Sequence, residues 1–257
     1  MNFEKAKLAF ETYLKDYNLN DGKVKLKLVH TYAVVELSEY IAKDLNLRED
    51  DIELAKIIAL LHDIGRFEQA RRFDDFVDHK TIDHADFGAE LLFKDGTIRN
   101  FIETDIYDNI IEKSIINHNK YSIENGLSEK ELLHSKIIRD ADKTDNFRVK
   151  SIDNLKDIAN IDESVMVNQL ITDDIYNDFM NHRTIISSKR ITFMDMWVSY
   201  IAFIFDYNFS SGLKYIKEKN YINILVDRIN YKNEETKQKM EQIRDCANEY
   251  IVERINK

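Results

Sequence analysis

Apolar residues recur along most of the chain at the three- and four-residue steps that place them on one face of an amphipathic helix. We therefore expect an all-α fold built from helices that pack their apolar faces together. The predicted helices lie near residues 2–17, 23–45, 51–63, 83–94, 105–119, 128–144, 163–182, 192–207, 211–219, 221–230 and 233–255.

Local stop signals separate several of these helices. Asp21-Gly22 divides the first pair, and Lys94-Asp95-Gly96 ends the helix near 83–94. Gly65 follows the third predicted helix, at the position where a left-handed C-terminal cap is common. We therefore expect the third helix to end and the chain to turn at Gly65.

The expected domain organisation rests on where the candidate functional residues lie along the chain. The sequence has no internal repeat and no Ser-, Gly- or Pro-rich hinge, so a division near residue 150 is a change of role inside one packed body. We expect a helical core over residues 1–150 and a helical extension over 151–257 that packs on it. The extension carries no catalytic motif, and its aromatic residues between 197 and 207 are expected to be core.

Composition narrows the fold and the function. Proline is absent and only six glycines occur, which favours helices over hairpins. The net charge of −10 argues against a broad nucleic-acid-binding surface but allows a small phosphate ligand in a locally basic pocket.

A single cysteine, Cys246, forms no intrachain disulfide, and the first residues lack the order of a signal peptide, so we expect a cytoplasmic protein. Residues 196–205 are too short an apolar run to span a membrane.

The histidines fall at informative positions. There are seven in all, and His30 lies on the apolar stripe of Leu26 and Leu37. Altogether five predicted helices each direct a nitrogen or carboxylate group inward. These residues are His30, His62, Asp63, His84, His118 and Asp142. Because isolated buried imidazoles and carboxylates are costly, a shared metal site explains the set best.

These residues lie in five motifs: Val-His-Thr at 29–31, Leu-Leu-His-Asp-Ile-Gly-Arg at 60–66, His-Ala-Asp-Phe-Gly-Ala-Glu-Leu-Leu at 84–92, Ile-Ile-Asn-His-Asn at 115–119 and Ile-Ile-Arg-Asp-Ala-Asp-Lys at 137–143. Taken together in this order, the motifs resemble the HD superfamily of metal-dependent hydrolases over residues 23–150. The resemblance implies a helical HD-domain bundle, here followed by the C-terminal extension.

The resemblance also implies a ligand set. It assigns His30, His62, Asp63 and Asp142 to a first metal, with Asp63 bridging, and His84 and His118 to a second. The resemblance favours Asp142 over Asp140, because the last ligand of the family follows an alanine and precedes a basic residue, as Asp142 does. Asn119 stands where relatives with a larger metal set have a second histidine, so we expect two divalent ions, from among Mn, Fe, Mg and Co.

The implied activity is a metal-dependent phosphohydrolase that cleaves a nucleotide or another small phosphate ester or anhydride with a water activated by two metals. Asp63 and Arg66 are the expected catalytic residues. Arg66 is also the first candidate for binding substrate phosphate, because a guanidinium matches phosphate bidentately, and Lys143 is the second. Asp83 either orients His84 or caps its helix.

Two other functions stay open from the sequence. Some HD-fold enzymes use the same ligand set in a di-iron oxygenase, and a non-catalytic sensor could bind a nucleotide without cleaving it. The expected partner is a small phosphorylated substrate, with no membrane partner, and a homodimer stays open as an oligomeric state.

Overall fold

A computed structural model describes residues 1–74, 78–156 and 160–257. In these ranges the chain forms helices and no strand, so the all-α prediction is confirmed. The chain divides into two compact units, Met1–Asp142 and Lys143–Lys257. None of the helices in the described ranges is long and apolar enough to cross a membrane.

The first unit contains six helices and the start of a seventh among its described residues. They are α1 (Phe3–Tyr13), α2 (Gly22–Asp44), α3 (Glu49–Leu61), α4 (Ile64–Phe73), α5 (His84–Ala89), α6 (Asp108–Asn117) and α7 (Glu129–Ile152), the last of which contains the division between the units. A π-helical turn, Glu90–Lys94, extends α5, and Gly96 then adopts a left-handed φ of 73°, so this predicted stop is confirmed.

The long helix α2 supplies one wall of the core of the first unit. Asp21 caps its first turn by accepting hydrogen bonds from the backbone N–H groups of Lys23 and Val24. The helix packs against α3 and buries Val34 and Ile41. His30 is buried on the same helix, as the apolar stripe predicted.

The prediction of a turn at Gly65 is wrong. After Leu61 the chain breaks for only two residues, His62 and Asp63, and then starts α4 at Ile64. Gly65 is inside α4 and is needed for space, since an added Cβ would lie 2.2 Å from the backbone oxygen of His84 and 2.9 Å from the backbone nitrogen of Gly88. The glycine therefore lets the backbones of α4 and α5 approach each other closely.

The second unit continues with short helices around an apolar core. They are α8 (Glu163–Met166), α9 (Asp173–Met180), α10 (Phe193–Ile201), α11 (Ser210–Glu218), α12 (Tyr221–Asp227) and α13 (Glu234–Ile255). Trp197 is fully buried in this core and its indole N–H donates to the carbonyl oxygen of Leu225 at 3.1 Å. The other aromatic residues of 197–207 pack in or against the same core.

The single helix predicted over 163–182 is also wrong, because the chain leaves the helical path between α8 and α9. In this segment the backbone N–H of Thr172 donates to the Asp195 carboxylate at 2.8 Å, and the carbonyl of Gln169 accepts from the Thr236 hydroxyl at 2.7 Å. Side chains distant in sequence thus satisfy the backbone groups that a continuous helix would have paired internally.

The close approach at Gly65 leads to a stability prediction. Gly65→Ala is expected to lower the free energy of unfolding by about 1–3 kcal/mol, because the added methyl group meets backbone atoms that cannot rotate away. Gly22→Ala is the matched control: its Cβ would meet no atom within 4 Å, so a gain of about 0.4–1 kcal/mol is expected instead. Urea unfolding of both variants in EDTA measures the difference, and equal stabilities would contradict the proposed contact.

Candidate metal centre

The centre forms around the junction between α3 and α4. His62 directly follows α3, and Asp63 precedes α4 with φ −105° and ψ 17°, which interrupts the helical path. Although aspartate is a favoured N-terminal cap, the Asp63 side chain makes no capping hydrogen bond here. The break instead places its carboxylate among the histidines of the first unit.

The two Asp63 oxygens face different pairs of imidazoles. Oδ2 lies 3.7 Å from His30 Nε2 and 3.6 Å from His62 Nε2. Oδ1 lies 3.2 Å from His84 Nε2 and 3.8 Å from His118 Nε2. The arrangement therefore has two halves that share one carboxylate.

Asp142 completes the half that contains His30. Its Oδ1 lies 3.1 Å from His30 Nε2. The structure thus brings together all six residues of the expected ligand set, from the interiors of α2 and α7, the first residue of α5 and the junctions that follow α3 and α6.

Hydrogen bonds fix the protonation of two rings. His62 Nδ1 lies 2.7 Å from the carbonyl oxygen of Ala59, and His118 Nδ1 lies 2.6 Å from that of Ile115. A carbonyl oxygen only accepts, so each Nδ1 carries the proton and Nε2 of the neutral ring keeps a lone pair. Burial lowers the pKa of His62 to about 3, which keeps its ring neutral.

The Nε2 atoms are therefore better arranged to bind a metal ion than to form hydrogen bonds with one another. His62 Nε2 is buried and has no hydrogen-bond partner among the described residues. His84 Nε2 lies 3.0 Å from His118 Nε2. In rings that carry a proton only on Nδ1, two such nitrogens would face each other with lone pairs, and a shared cation would remove that repulsion. The groups His30, His62, Asp63 and Asp63, His84, His118 could each hold a metal ion.

Charged neighbours keep the carboxylates ionised. Burial would raise the pKa of Asp63, but the ammonium of Lys27 holds it well below its usual value. Lys27 Nζ donates to Asp63 Oδ2 at 2.8 Å. Burial likewise opposes ionisation of Asp142, but its hydrogen bond with His30 and the other nearby imidazoles together hold the pKa of that carboxyl well below its usual value. Both residues are therefore available as anionic ligands.

Arg66 lies between two carboxylates of the centre. Its Nη1 donates to Asp78 Oδ1 at 2.6 Å and to Gln69 Oε1 at 2.8 Å. Its Nε lies 3.8 Å from Asp63 Oδ1. Lys143, the other expected phosphate-binding residue, belongs to the second unit, where Nζ pairs with Asp206 Oδ2 at 2.7 Å.

Sequence reasoning missed two residues that contact the ligand set, Lys27 and Asp78. Asp78 Oδ2 accepts from His84 Nδ1 at 2.7 Å, which is a common way to orient a metal-binding histidine. Asp83 caps α5 instead, with its carboxylate 3.0 Å from the backbone nitrogen of Ala85. For Lys27, the only indication in the sequence was its position one turn before His30 on the same helix. For Asp78, there was no such indication in the sequence.

The comparisons with known proteins identify one family. Residues 28–146 match the family model described as HD domain. No curated protein and no solved structure matches the chain. The matched range includes all six residues that the structure brings together.

The contact of Lys27 with Asp63 leads to a prediction for the metal-free protein. Lys27→Met should lower the free energy of unfolding by about 1–3 kcal/mol in EDTA, because it leaves a buried carboxylate without its cationic partner. Added Mn²⁺ should reduce this deficit, since the metal supplies the missing positive charge.

Lys23→Met is the matched control. Lys23 lies on the same helix, four residues before Lys27, but it pairs with the exposed carboxylate of Asp74. We expect it to change stability by less than about 1 kcal/mol with or without metal. Thermal and urea unfolding with EDTA and with Mn²⁺ provide the comparison. Equal losses for the two variants would exclude Lys27 as the counter-ion of Asp63.

Proposed function

Since residues 28–146 belong to the HD superfamily, we propose that this chain is a metal-dependent phosphohydrolase that acts on a nucleotide or another small phosphate ester or anhydride. The observation that carries the proposal is the Asp63 carboxylate, whose two oxygens each face a pair of histidine Nε2 atoms. A shared carboxylate between two nitrogen-rich halves suits two metal ions that act on one phosphorus atom.

In this proposal, each half of the centre holds one divalent ion. His30, His62, Asp63 and Asp142 would hold the first, and Asp63, His84 and His118 the second. When bound, the ions would supply a water of lowered pKa and positive charge for the phosphoryl oxygens. The four imidazoles favour a transition metal such as Fe or Co over Mg, which prefers oxygen ligands, while the carboxylates are ligands that also suit Mn.

The chain's own cations have separate tasks. Lys27 contacts Asp63 from the more open side, with 20% of its side chain exposed against 3% for Asp63, so we expect its ammonium to meet the phosphate of an incoming substrate. Arg66 donates a hydrogen bond to Asp78, which in turn accepts a hydrogen bond from His84 Nδ1. We also propose that Arg66 or Lys143 contacts the substrate directly.

The test combines metal analysis with a release assay. We expect about two metals per purified chain, and hydrolysis of one class among nucleoside mono-, di- and triphosphates, cyclic nucleotides and dinucleoside polyphosphates, assayed with Mn, Mg, Co and Fe. Hydrolysis is followed by phosphate or polyphosphate release for the first three classes and by the nucleotide product for the last two. Two irons with oxygen-dependent turnover and no hydrolysis of any substrate would instead indicate the oxygenase. Tight nucleotide binding without turnover under any metal would indicate the sensor.

Asp63→Asn should abolish this activity. Loss of a residue outside the ligand shell typically costs 10–100-fold, so removal of the shared ligand charge should cost at least about 100-fold and lower the metal content. Asp51→Asn is the control, because Asp51 is also a buried acid but pairs with Lys130 at 2.8 Å. Release rates, metal content and the helical circular-dichroism signal are compared. Full activity of Asp63→Asn would refute the assignment.

A further inference from the structure

Arg139 links two elements that carry proposed metal ligands. Its guanidinium binds the turn around His118, and its backbone belongs to the helix that carries Asp142. We propose that Arg139 is a positioning residue that fixes His118 relative to Asp142 and thereby sets the affinity of the second metal position. The inference rests on the proposed function, because it takes His118 as a metal ligand. It concerns a residue that contacts neither metal nor substrate in that proposal.

Arg139 is buried where α6 ends. Only 2% of the residue is exposed, and Nη1 donates to the carbonyl oxygens of Asn117 at 2.8 Å and Lys120 at 2.5 Å. Nη2 donates to the carbonyl of Tyr121 at 3.3 Å. The last carbonyls of a helix lack partners within it, and the guanidinium supplies several donors to the carbonyl of Asn117 and to those of the turn that follows.

The contacted turn carries a metal-binding candidate. Asn117 is the last residue of α6 and His118 follows it directly. The His118 ring is held to its own helix through Nδ1 and the carbonyl of Ile115. The position of that helix end relative to the rest of the centre, however, depends on what binds the carbonyls around it.

The other end of the connection is α7. Arg139 lies three residues before Asp142 on this helix, so the two residues are about one turn apart. Its hydrogen bonds therefore tie the backbone around His118 to the helix that carries Asp142. The loop after α6 is also closed by Asn117, whose side-chain oxygen accepts from the backbone N–H of Glu124 at 2.9 Å. His118 thus sits in a turn held from two sides.

Loss of this connection should affect the two metal positions unequally. His30, His62 and Asp63 lie on α2 and at the α3–α4 junction, and the hydrogen bonds of Arg139 to the turn do not involve them. Arg139→Lys keeps the positive charge, but one ammonium lacks the planar fork that reaches several carbonyls at once. We therefore expect the first metal to stay and the second to be weakened.

The experiment measures Mn²⁺ binding to the full chain after removal of bound metal. Wild type is expected to bind two ions, with an electron paramagnetic resonance signal of a coupled pair. For Arg139→Lys we expect the second binding constant to fall by at least about 10-fold, and the spectrum to become that of an isolated ion. Arg228→Lys is the matched control, because Arg228 also donates to main-chain carbonyls, those of Lys150 and Asp153, in the second unit.

A double-mutant cycle separates positioning from general structural damage. If Arg139 acts through His118, Arg139→Lys should weaken Mn²⁺ binding no further in a His118→Asn background. An additive loss would overturn the inference, as would two tightly bound, coupled ions in the single variant. If Arg139→Lys does not fold, as judged by circular dichroism, Arg139→Gln takes its place in the same cycle, because it leaves no charge to bury.

The wild-type measurement distinguishes the two proposals. If the wild-type chain binds no Mn²⁺, the proposed metal centre fails whatever Arg139 does. If wild type binds two ions and Arg139→Lys binds them equally well, the metal centre stands and the inference about Arg139 is wrong.

Discussion

A buried carboxylate that stays ionised is the constraint around which the first unit is arranged. Asp63 is 3% exposed, and burial by itself would favour its neutral form. The ammonium of Lys27 reverses that preference, and four imidazole Nε2 atoms lie within 3.8 Å of the Asp63 oxygens. A charge in such a place is stable only while these groups surround it, so the elements that carry them must converge.

The candidate metal ligands are brought together mainly at the ends of helices. His62 and Asp63 occupy the break between α3 and α4, His84 begins α5 and His118 follows α6. The approach of α4 to α5 requires the missing side chain of Gly65, which lies against the backbone oxygen of His84. The same glycine that leaves room for this packing therefore helps to bring His84 next to Asp63.

The sequence was sufficient for the residues whose signal lies within one element. The inward positions of the candidate ligands follow from their spacing on the predicted helices, and the resemblance supplied their division between two metals. Periodicity failed at α4 because its buried residues include Glu68 and Gln69, which pair with polar partners and leave no clear apolar stripe. Asp78 was missed because its contact with His84 depends on how the chain folds between α4 and α5, which residue spacing does not encode.

Charge balance explains why a protein with a net charge of −10 could still bind a phosphate. Among the described contacts of Asp63 and its histidine neighbours, the carboxylates of Asp63, Asp78 and Asp142 outnumber the cations Lys27 and Arg66. Without metal, these groups carry one net negative charge and would repel an anion. Two divalent ions would change that balance to three positive charges. In the proposed enzyme, metal binding is therefore also what would make the centre attractive to a phosphorylated substrate.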